Sequence, residues 1–267
     1  MHRNRDTVTV EVGGFSIEGP ARAGRTLQAL CNGSAEPFMA ELFERALSPG
    51  MVVLDVGAFL GRYSLIAARR VGPTGRVYAF EPDPRNLPFL AKNIAMNGMS
   101  DCVTAFPYAV ADRSGTQALF LDPEEGSGSS LFFRRRPRAA ATPVQCVALD
   151  EFLEESVAVD VIKLDVEGGE FWALRGMERT IERGSPRMAI FLECFPRGLR
   201  SAGASTWALL QWLERFGFSV LVIDERRRRL FPIKPTNQQL WRLYFNLLLP
   251  LGFWVNLMCV RRDGKSR

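Results

Sequence analysis

Four apolar runs in this chain end on an acidic residue: MVVLD at Asp55, RVYAFE at Glu81, VIKLD at Asp165 and IFLE at Glu193. Each acid opens a short non-apolar or turn-like segment, Val56-Gly57, Pro82-Asp83, Val166-Glu167 and Cys194-Phe195. An unpaired carboxylate is expensive to bury, so packing alone does not explain acids at four equivalent places. Strand ends that share one rim of a sheet would gather them around a ligand.

The first of these ends is the most informative. Asp55-x-Gly57-Ala58-x-x-Gly61 places glycines where the backbone must turn tightly and approach a ligand without Cβ atoms in the way. The spacing is neither GxGxxG nor GxxxxGK[ST], so pyrophosphate and triphosphate cradles fit poorly. An acid at the start of the loop would repel a phosphate and suits a ligand with cationic groups. Glu81 follows Gly61 by twenty residues, at the end of the next apolar run. A carboxylate there can accept hydrogen bonds from both hydroxyls of a ribose. A nucleoside with a cationic tail points to S-adenosylmethionine.

The elements that must position these groups can be read from periodicity. Residues 7–18 alternate around Gly13-Gly14 as a hairpin, and residues 36–47 have the pattern of an amphipathic helix. Short apolar runs then alternate with helical segments over residues 59–70, 84–96, 169–183 and 205–216, with a third strand near residues 102–106. Between Ala118 and Val147 the helical rhythm lapses. ALFLD, SSLFF and PVQCVAL suggest an antiparallel insertion, spanning about residues 116–148, around the loop Glu125 to Ser130. FSVLVID and WVNLMCV read as closing strands. The alternation predicts a doubly wound, Rossmann-like α/β fold with a mostly parallel sheet. The expected organisation is a hairpin-and-helix extension over residues 1–48 followed by one compact domain over residues 49–267.

Composition narrows the chemistry. With 267 residues, 47% hydrophobic and 24% charged, the chain is long enough for a large core and is neither a disordered nor a disulfide-dense protein. Its five cysteines form no CxxC pair, which argues against metal knuckles and fits a reducing, cytoplasmic setting. The sole histidine is His2, so a histidine base, a Ser-His-Asp triad or a His-ligated metal is close to excluded. The net charge of +5 is uneven, with arginine runs at residues 134–136 and 226–229, read chiefly as solvated loops. Residues 240–260 are apolar but interrupted by Arg242, Asn246, Pro250, Gly252 and Asn256. A buried final strand is preferred there over a membrane-spanning or surface-lying helix.

These residues carry a resemblance. The stretches VVLDVGAFLGRYSLIAAR, VYAFEPDPRNLPFLAKNIAMNG, AVADRSG, LDEFL, VDVIKLDVEGGEFWALRGM and PRMAIFLECFP are similar to the FkbM family of class I S-adenosylmethionine-dependent methyltransferases. They extend from about Val52 to Pro196, and DVEGGE before an apolar helix is their most distinctive part. The resemblance implies that Asp55, Gly57 and Gly61 shape the methionine-binding turn, that Glu81 holds the ribose and that Asp112 lies near the adenine. It places Asp165, Glu167 and Glu170 on the methyl-transfer side. One departure is that related sequences often carry a histidine after the glutamate matching Glu193, where this chain has Cys194 and Phe195.

Methyl transfer from a sulfonium is an in-line displacement that needs alignment first and proton removal second. Asp165 is the leading candidate for the base, ahead of Glu193. Asp165, Glu167 and Glu170 form an acidic group that could hold Mg²⁺. Acids favoured in the first turn of a helix explain Glu167 and Glu170 more simply, and no metal is predicted. The GSGSS loop, residues 126–130, would be either a mobile cover for the acceptor or an exposed hairpin tip. No DPPY-like tetrapeptide and no Pro-Cys pair is present, which argues against methylation of DNA bases, and RNA is disfavoured as a partner. By resemblance, the expected acceptor is a hydroxyl on a sugar, glycan or other natural product. The rival readings are a methyltransferase docked to RNA or protein through the arginine runs, and a non-enzymatic module bound to membranes by the C-terminal segment. An NAD-linked dehydrogenase is disfavoured by the glycine spacing.

Overall fold

A computed structural model describes residues 2–3, 6–124, 126–134, 139–233 and 254–262. The chain opens with β1 (His2–Arg3), β2 (Thr7–Val12) and β3 (Phe15–Pro20), which pair antiparallel in sequence order. Gly13 and Gly14, both at positive φ, make the β2–β3 turn that the alternation predicts. Two helices follow, α1 (Gly24–Cys31), which periodicity had not disclosed, and α2 (Pro37–Arg45).

Strands and helices then alternate: β4 (Val52–Val56), α3 (Arg62–Val71), β5 (Arg76–Phe80), α4 (Leu87–Met96) and β6 (Val103–Phe106). A separate small sheet is built from β7 (Tyr108–Val110), β8 (Gly115–Phe120) and β9 (Ala141–Val147). The main alternation resumes with α5 (Leu149–Phe152), β10 (Val161–Leu164), α6 (Glu170–Arg175), α7 (Glu178–Arg183) and β11 (Ala189–Cys194). It closes with α8 (Pro196–Ser201), α9 (Thr206–Arg215), β12 (Phe218–Asp224), β13 (Arg229–Ile233) and β14 (Val255–Arg261).

The central sheet has the order β13-β12-β14-β11-β10-β4-β5-β6. Its middle is parallel, and β14 runs antiparallel to both β11 and β12. The chain winds outward from β4 to β6, then returns to place β10 on the other side of β4. A crevice opens at that reversal, beyond the carboxyl ends of β4 and β10. Every residue of β10 and β11 is buried, as expected for strands covered on both faces. The apolar stretch WVNLMCV is thus a sheet strand inserted between β11 and β12. Among the described residues no helix is long and apolar enough to cross a membrane. The rest of the 240–260 reading, residues 240–253, lies outside the described residues.

The N-terminal strands and α1 share one buried cluster with α3 and α4, through Val8, Val10, Phe15, Ile17 and Leu27. Polar anchors fix the contact. The Asn93 side chain accepts from the Glu18 N–H at 2.8 Å and donates to the carbonyls of Glu18 and Leu60 at 2.8 and 2.9 Å. One amide therefore ties the N-terminal hairpin to the turn that follows β4.

Three local expectations are corrected. SSLFF is not a strand: Ser130 makes an isolated bridge to Phe120, and the segment turns away. The insertion is not wholly antiparallel, because β9 pairs parallel to β7 and antiparallel to β8. The helix expected over residues 169–183 is two helices. Gly176 breaks it where the backbone presses on the 108–112 segment, and a Cβ there would stand 1.8 Å from the Ala111 carbonyl oxygen. Asp150 caps the second half by accepting the N–H groups of Arg179 and Thr180.

Candidate active site

The crevice encloses about 570 Å³ of empty space, open solvent included. Gly57, Phe59, Glu81, Tyr108, Val110, Leu119, Ser130, Phe132 and Asp165 are among the residues that line it. Apolar side chains from β7, β8 and the 131–132 segment make one wall. Carboxylates stand at the ends of β5 and β10.

Gly57 decides how closely those strands approach. Its φ is +85°, and a Cβ would lie 1.8 Å from the Asp165 carbonyl oxygen. Only glycine allows β4 and β10 to meet there backbone to backbone. Gly61, also left-handed at φ +91°, begins α3 and lies against Leu90 rather than lining the cavity.

Glu81 is buried at the rim. Its Oε2 accepts the Phe59 N–H at 2.8 Å and its Oε1 accepts the Asp83 N–H at 2.9 Å. It thus holds the turn after β4 and the turn after β5 at once, with acceptor capacity left over. Burial pushes its carboxyl up to about 7, against the opposing pull of those N–H groups. Asp55 is different. It is buried beneath the cavity, accepts the Ser64 hydroxyl at 2.5 Å and does not line the space. Burial raises it to about 6. Asp112 also stands outside the lining, on the loop that packs against Gly176, 4.0 Å from Arg113.

On the far side an acidic group gathers. Asp165, Glu167 and Glu193 present oxygens that all lie within 4.8 Å of one another. Asp165 is ion-paired at 2.9 Å with Lys163, a fully buried lysine whose ammonium also sits 4.9 Å from the Tyr63 ring. Burial, and then the charges of Asp165, Glu167, Glu170 and Glu36, hold the Glu193 carboxyl well above the usual range. Glu167 has φ +55° and Gly168 φ +100°, an unusual pair of left-handed residues. Glu170 stabilises them: its Oε1 accepts the N–H of Val166 at 3.3 Å and of Gly168 at 3.0 Å. The second glutamate of DVEGGE therefore builds the turn, and the first is the one presented to the acidic group.

A polar clasp covers the cavity. Arg85 holds Asp83 through Nε at 3.0 Å and a terminal nitrogen at 2.6 Å, and donates to the Asp122 carbonyl at 3.0 Å. Ser129 donates to Asp83 at 2.8 Å, and Asn86 donates to the Gly126 carbonyl at 3.0 Å. Burial alone would raise the Asp83 carboxyl, but the Arg85 and Ser129 hydrogen bonds bring it below its ordinary value. The GSGSS segment is thus pinned over the cavity, with Gly126, Ser127, Ser129 and Ser130 in its lining. Sequence reasoning missed this clasp, Lys163 and Glu36. Only EPDPRN, where an acid and a base stand two apart, hinted at any of it.

The arginine run at 226–229 forms the β12–β13 turn, where Arg227 pairs with Asp224 at 3.1 Å and Arg228 with Glu41. Arg134 stacks over Phe120, while residues 135–136 lie outside the described residues.

Comparison with known proteins agrees with this architecture. Residues 55–220 match the FkbM methyltransferase domain. Methyltransferase sdnD of Sordaria araneosa is 26% identical over 156 residues, 47% of this chain and 60% of that protein. The hexuronic acid methyltransferase AglP of Haloferax volcanii is 22% identical over 180 residues, 67% of this chain and 71% of that protein. A proposed rRNA methylase structure from Clostridium thermocellum aligns over 84% of this chain and 94% of its own, with TM-score 0.52 and 12% identity. The sheet order, the crevice at its reversal and the domain match converge: the chain belongs to the FkbM methyltransferase family and has the Rossmann-like fold of class I S-adenosylmethionine-dependent methyltransferases.

Proposed function

We propose that this chain transfers a methyl group from S-adenosylmethionine to a hydroxyl of a sugar, glycan or other natural product. The observation that carries the reading is the cavity at the β4/β10 reversal, with a buried carboxylate on one side and an acidic group on the other. Its residues suit that donor: the Gly57 turn leaves room for close approach, Glu81 offers acceptors to a ribose, and the apolar wall suits an adenine. When bound, S-adenosylmethionine supplies an electrophilic methyl on a sulfonium.

The protein's own part is alignment and charge. Phe59, Glu81 and the clasped 126–132 segment fix the nucleoside end and exclude water. Asp165, the acid of the cluster that lines the cavity, is assigned to orient the acceptor hydroxyl and take its proton, with its own position fixed by Lys163. Glu193 stands behind it as the second carboxylate. AglP is named for a hexuronic acid, which supports a sugar-like acceptor. Docking to RNA through residues 226–229 is less favoured, because Arg227 and Arg228 are already tied to acidic partners.

The test is incubation with methyl-labelled donor and a panel of free sugars, uronic acids and polyhydroxylated natural products. Mass-spectrometric analysis should find a base-stable methyl ether. A base-labile methyl ester or methylated RNA as the sole product would overturn the acceptor class.

A further inference from the structure

We propose that Asp165, Glu167 and Glu193, completed by the side-chain oxygen of Asn256, form a binding site for one hard divalent cation beside the cofactor cavity. The inference deepens the methyl-transfer reading and rests on it only for the purpose of the ion. Two independent observations meet here.

The first is the carboxylate geometry. Three acids from the ends of β10 and β11 place oxygens no more than 4.8 Å apart. Oxygens sharing one ion can stand at most twice the metal–oxygen distance apart, about 4.1 Å for Mg²⁺ and about 4.9 Å for Ca²⁺. The three acids are therefore already within the span of a Ca²⁺-sized ion, and a slight contraction would fit Mn²⁺ or Mg²⁺. Around them stand two further acids, Glu170 and Glu36, whose charges act on Glu193. The buried Oε2 of Glu170 has no hydrogen-bond partner. Lys163 is bound to Asp165.

The second observation is not acidic at all. Asn256 of β14 lies directly opposite Glu193 of β11 in the antiparallel ladder, which puts both side chains on one face of the sheet. It is 6% exposed. Its Nδ2 donates to Glu36, and its Oδ1 is buried with no hydrogen-bond partner. A buried amide oxygen without a donor is costly. The ladder pairing sets this amide next to the Glu193 side chain, and an amide carbonyl together with carboxylates is the oxygen donor set that a hard cation takes.

Glu167, Glu193 and Asn256 do not line the cofactor cavity, whereas Asp165 does. The ion would therefore sit next to the donor rather than in its place. It would lessen the repulsion between the Asp165 carboxylate, which lines the cavity, and an oxygen-rich acceptor. A hydroxyl oxygen drawn to it would ionise more readily, which favours acceptors with a hydroxyl beside a second oxygen ligand, such as a vicinal diol or a hydroxy acid.

The experiment is titration of the chelator-treated full chain with Mn²⁺ alone, followed by the loss of the free-ion electron paramagnetic resonance signal. Calorimetry with S-adenosylhomocysteine runs in parallel. Wild type should take up one Mn²⁺ per chain with Kd below about 1 mM, displaced by Mg²⁺ or Ca²⁺. Glu167→Gln, Glu193→Gln and Asn256→Leu should each weaken uptake by about tenfold or more, with S-adenosylhomocysteine affinity kept within about twofold. Absence of stoichiometric uptake by wild type overturns the site. So does uptake unchanged in both Glu167→Gln and Asn256→Leu, variants that need not share a folding defect with Glu193→Gln. Loss of S-adenosylhomocysteine binding by wild type would instead overturn the methyl-transfer reading, whatever the Mn²⁺ result.

Discussion

Replacing Glu81 by glutamine tests the cofactor end of the cavity with the least change in shape. The carboxylate holds two backbone donors, the N–H of Phe59 at 2.8 Å and that of Asp83 at 2.9 Å, on different oxygens. A glutamine has one oxygen and one NH₂, so whichever way it faces, one N–H meets another donor. The lost hydrogen bond and the stranded buried donor should cost about 1–3 kcal/mol, felt as a loosened Gly57–Phe59 turn. Loss of the charged acceptor for the ribose hydroxyls adds a similar amount, so calorimetric Kd for S-adenosylhomocysteine should rise by roughly tenfold to a hundredfold. The pH dependence gives a second reading. Burial raises this carboxyl to about 7 in the free protein, so it is largely protonated at pH 6 and largely charged at pH 8. Ribose hydroxyls donate to the charged form and favour it. Binding must therefore tighten as pH rises through 7, by about tenfold between pH 6 and pH 8. The glutamine variant, with nothing to titrate, should show a nearly flat profile. Equal affinity for wild type and variant, or a wild-type profile as flat as the variant's, would refute the assignment of Glu81.

Other substitutions separate structure from chemistry. Gly57→Ala would drive a Cβ to within 1.8 Å of the Asp165 carbonyl oxygen at φ +85°. A cost of about 3 kcal/mol or more should lower Tm by roughly 6–12 °C, and a calorimetric Tm within about 2 °C of wild type would contradict the close strand contact. Glu170→Gln keeps the oxygen that accepts from Val166 and Gly168 while removing a buried charge. Burial raises Glu170 to about 8, so wild type loses stability as pH rises from the ordinary carboxylate range through 8. The variant should be more stable at pH 8.5, on the order of 1–4 kcal/mol at most, with the gap closing toward pH 5 in urea titrations with chelator present. Arg85→Met removes the clasp that joins Asp83 to the Asp122 carbonyl. Protease should then cut near residues 122–130 faster, with S-adenosylhomocysteine restoring protection only in part, and an unchanged cleavage rate would show that the clasp does not hold the loop.

The alternation of short apolar runs with helical segments was sufficient to read a doubly wound sheet, because period and punctuation are local properties of a chain. The same holds for the acids at the ends of β4, β5, β10 and β11, since a strand that is apolar throughout and stops on a carboxylate announces its own rim. The FkbM likeness of DVEGGE belongs to this category too. The sequence did not reveal which acids face the cavity. Asp55 and Asp165 end neighbouring parallel strands, yet Asp55 turns to Ser64 beneath the cavity while Asp165 lines it. Glu167 and Glu170 are three apart, yet one joins the acidic group and the other holds the turn.

Partners far apart along the chain were equally hidden. Glu36 precedes α2 and Asn256 lies in β14, 220 residues away, and the two meet because β14 inserts between β11 and β12. The break at Gly176 depends on the Ala111 carbonyl, and the fixed cover over the cavity depends on Arg85 reaching the Asp122 carbonyl. Periodicity records which face of an element is buried. It carries no information about which distant backbone or side chain lies against that face, and at this site those contacts set the charge and the shape.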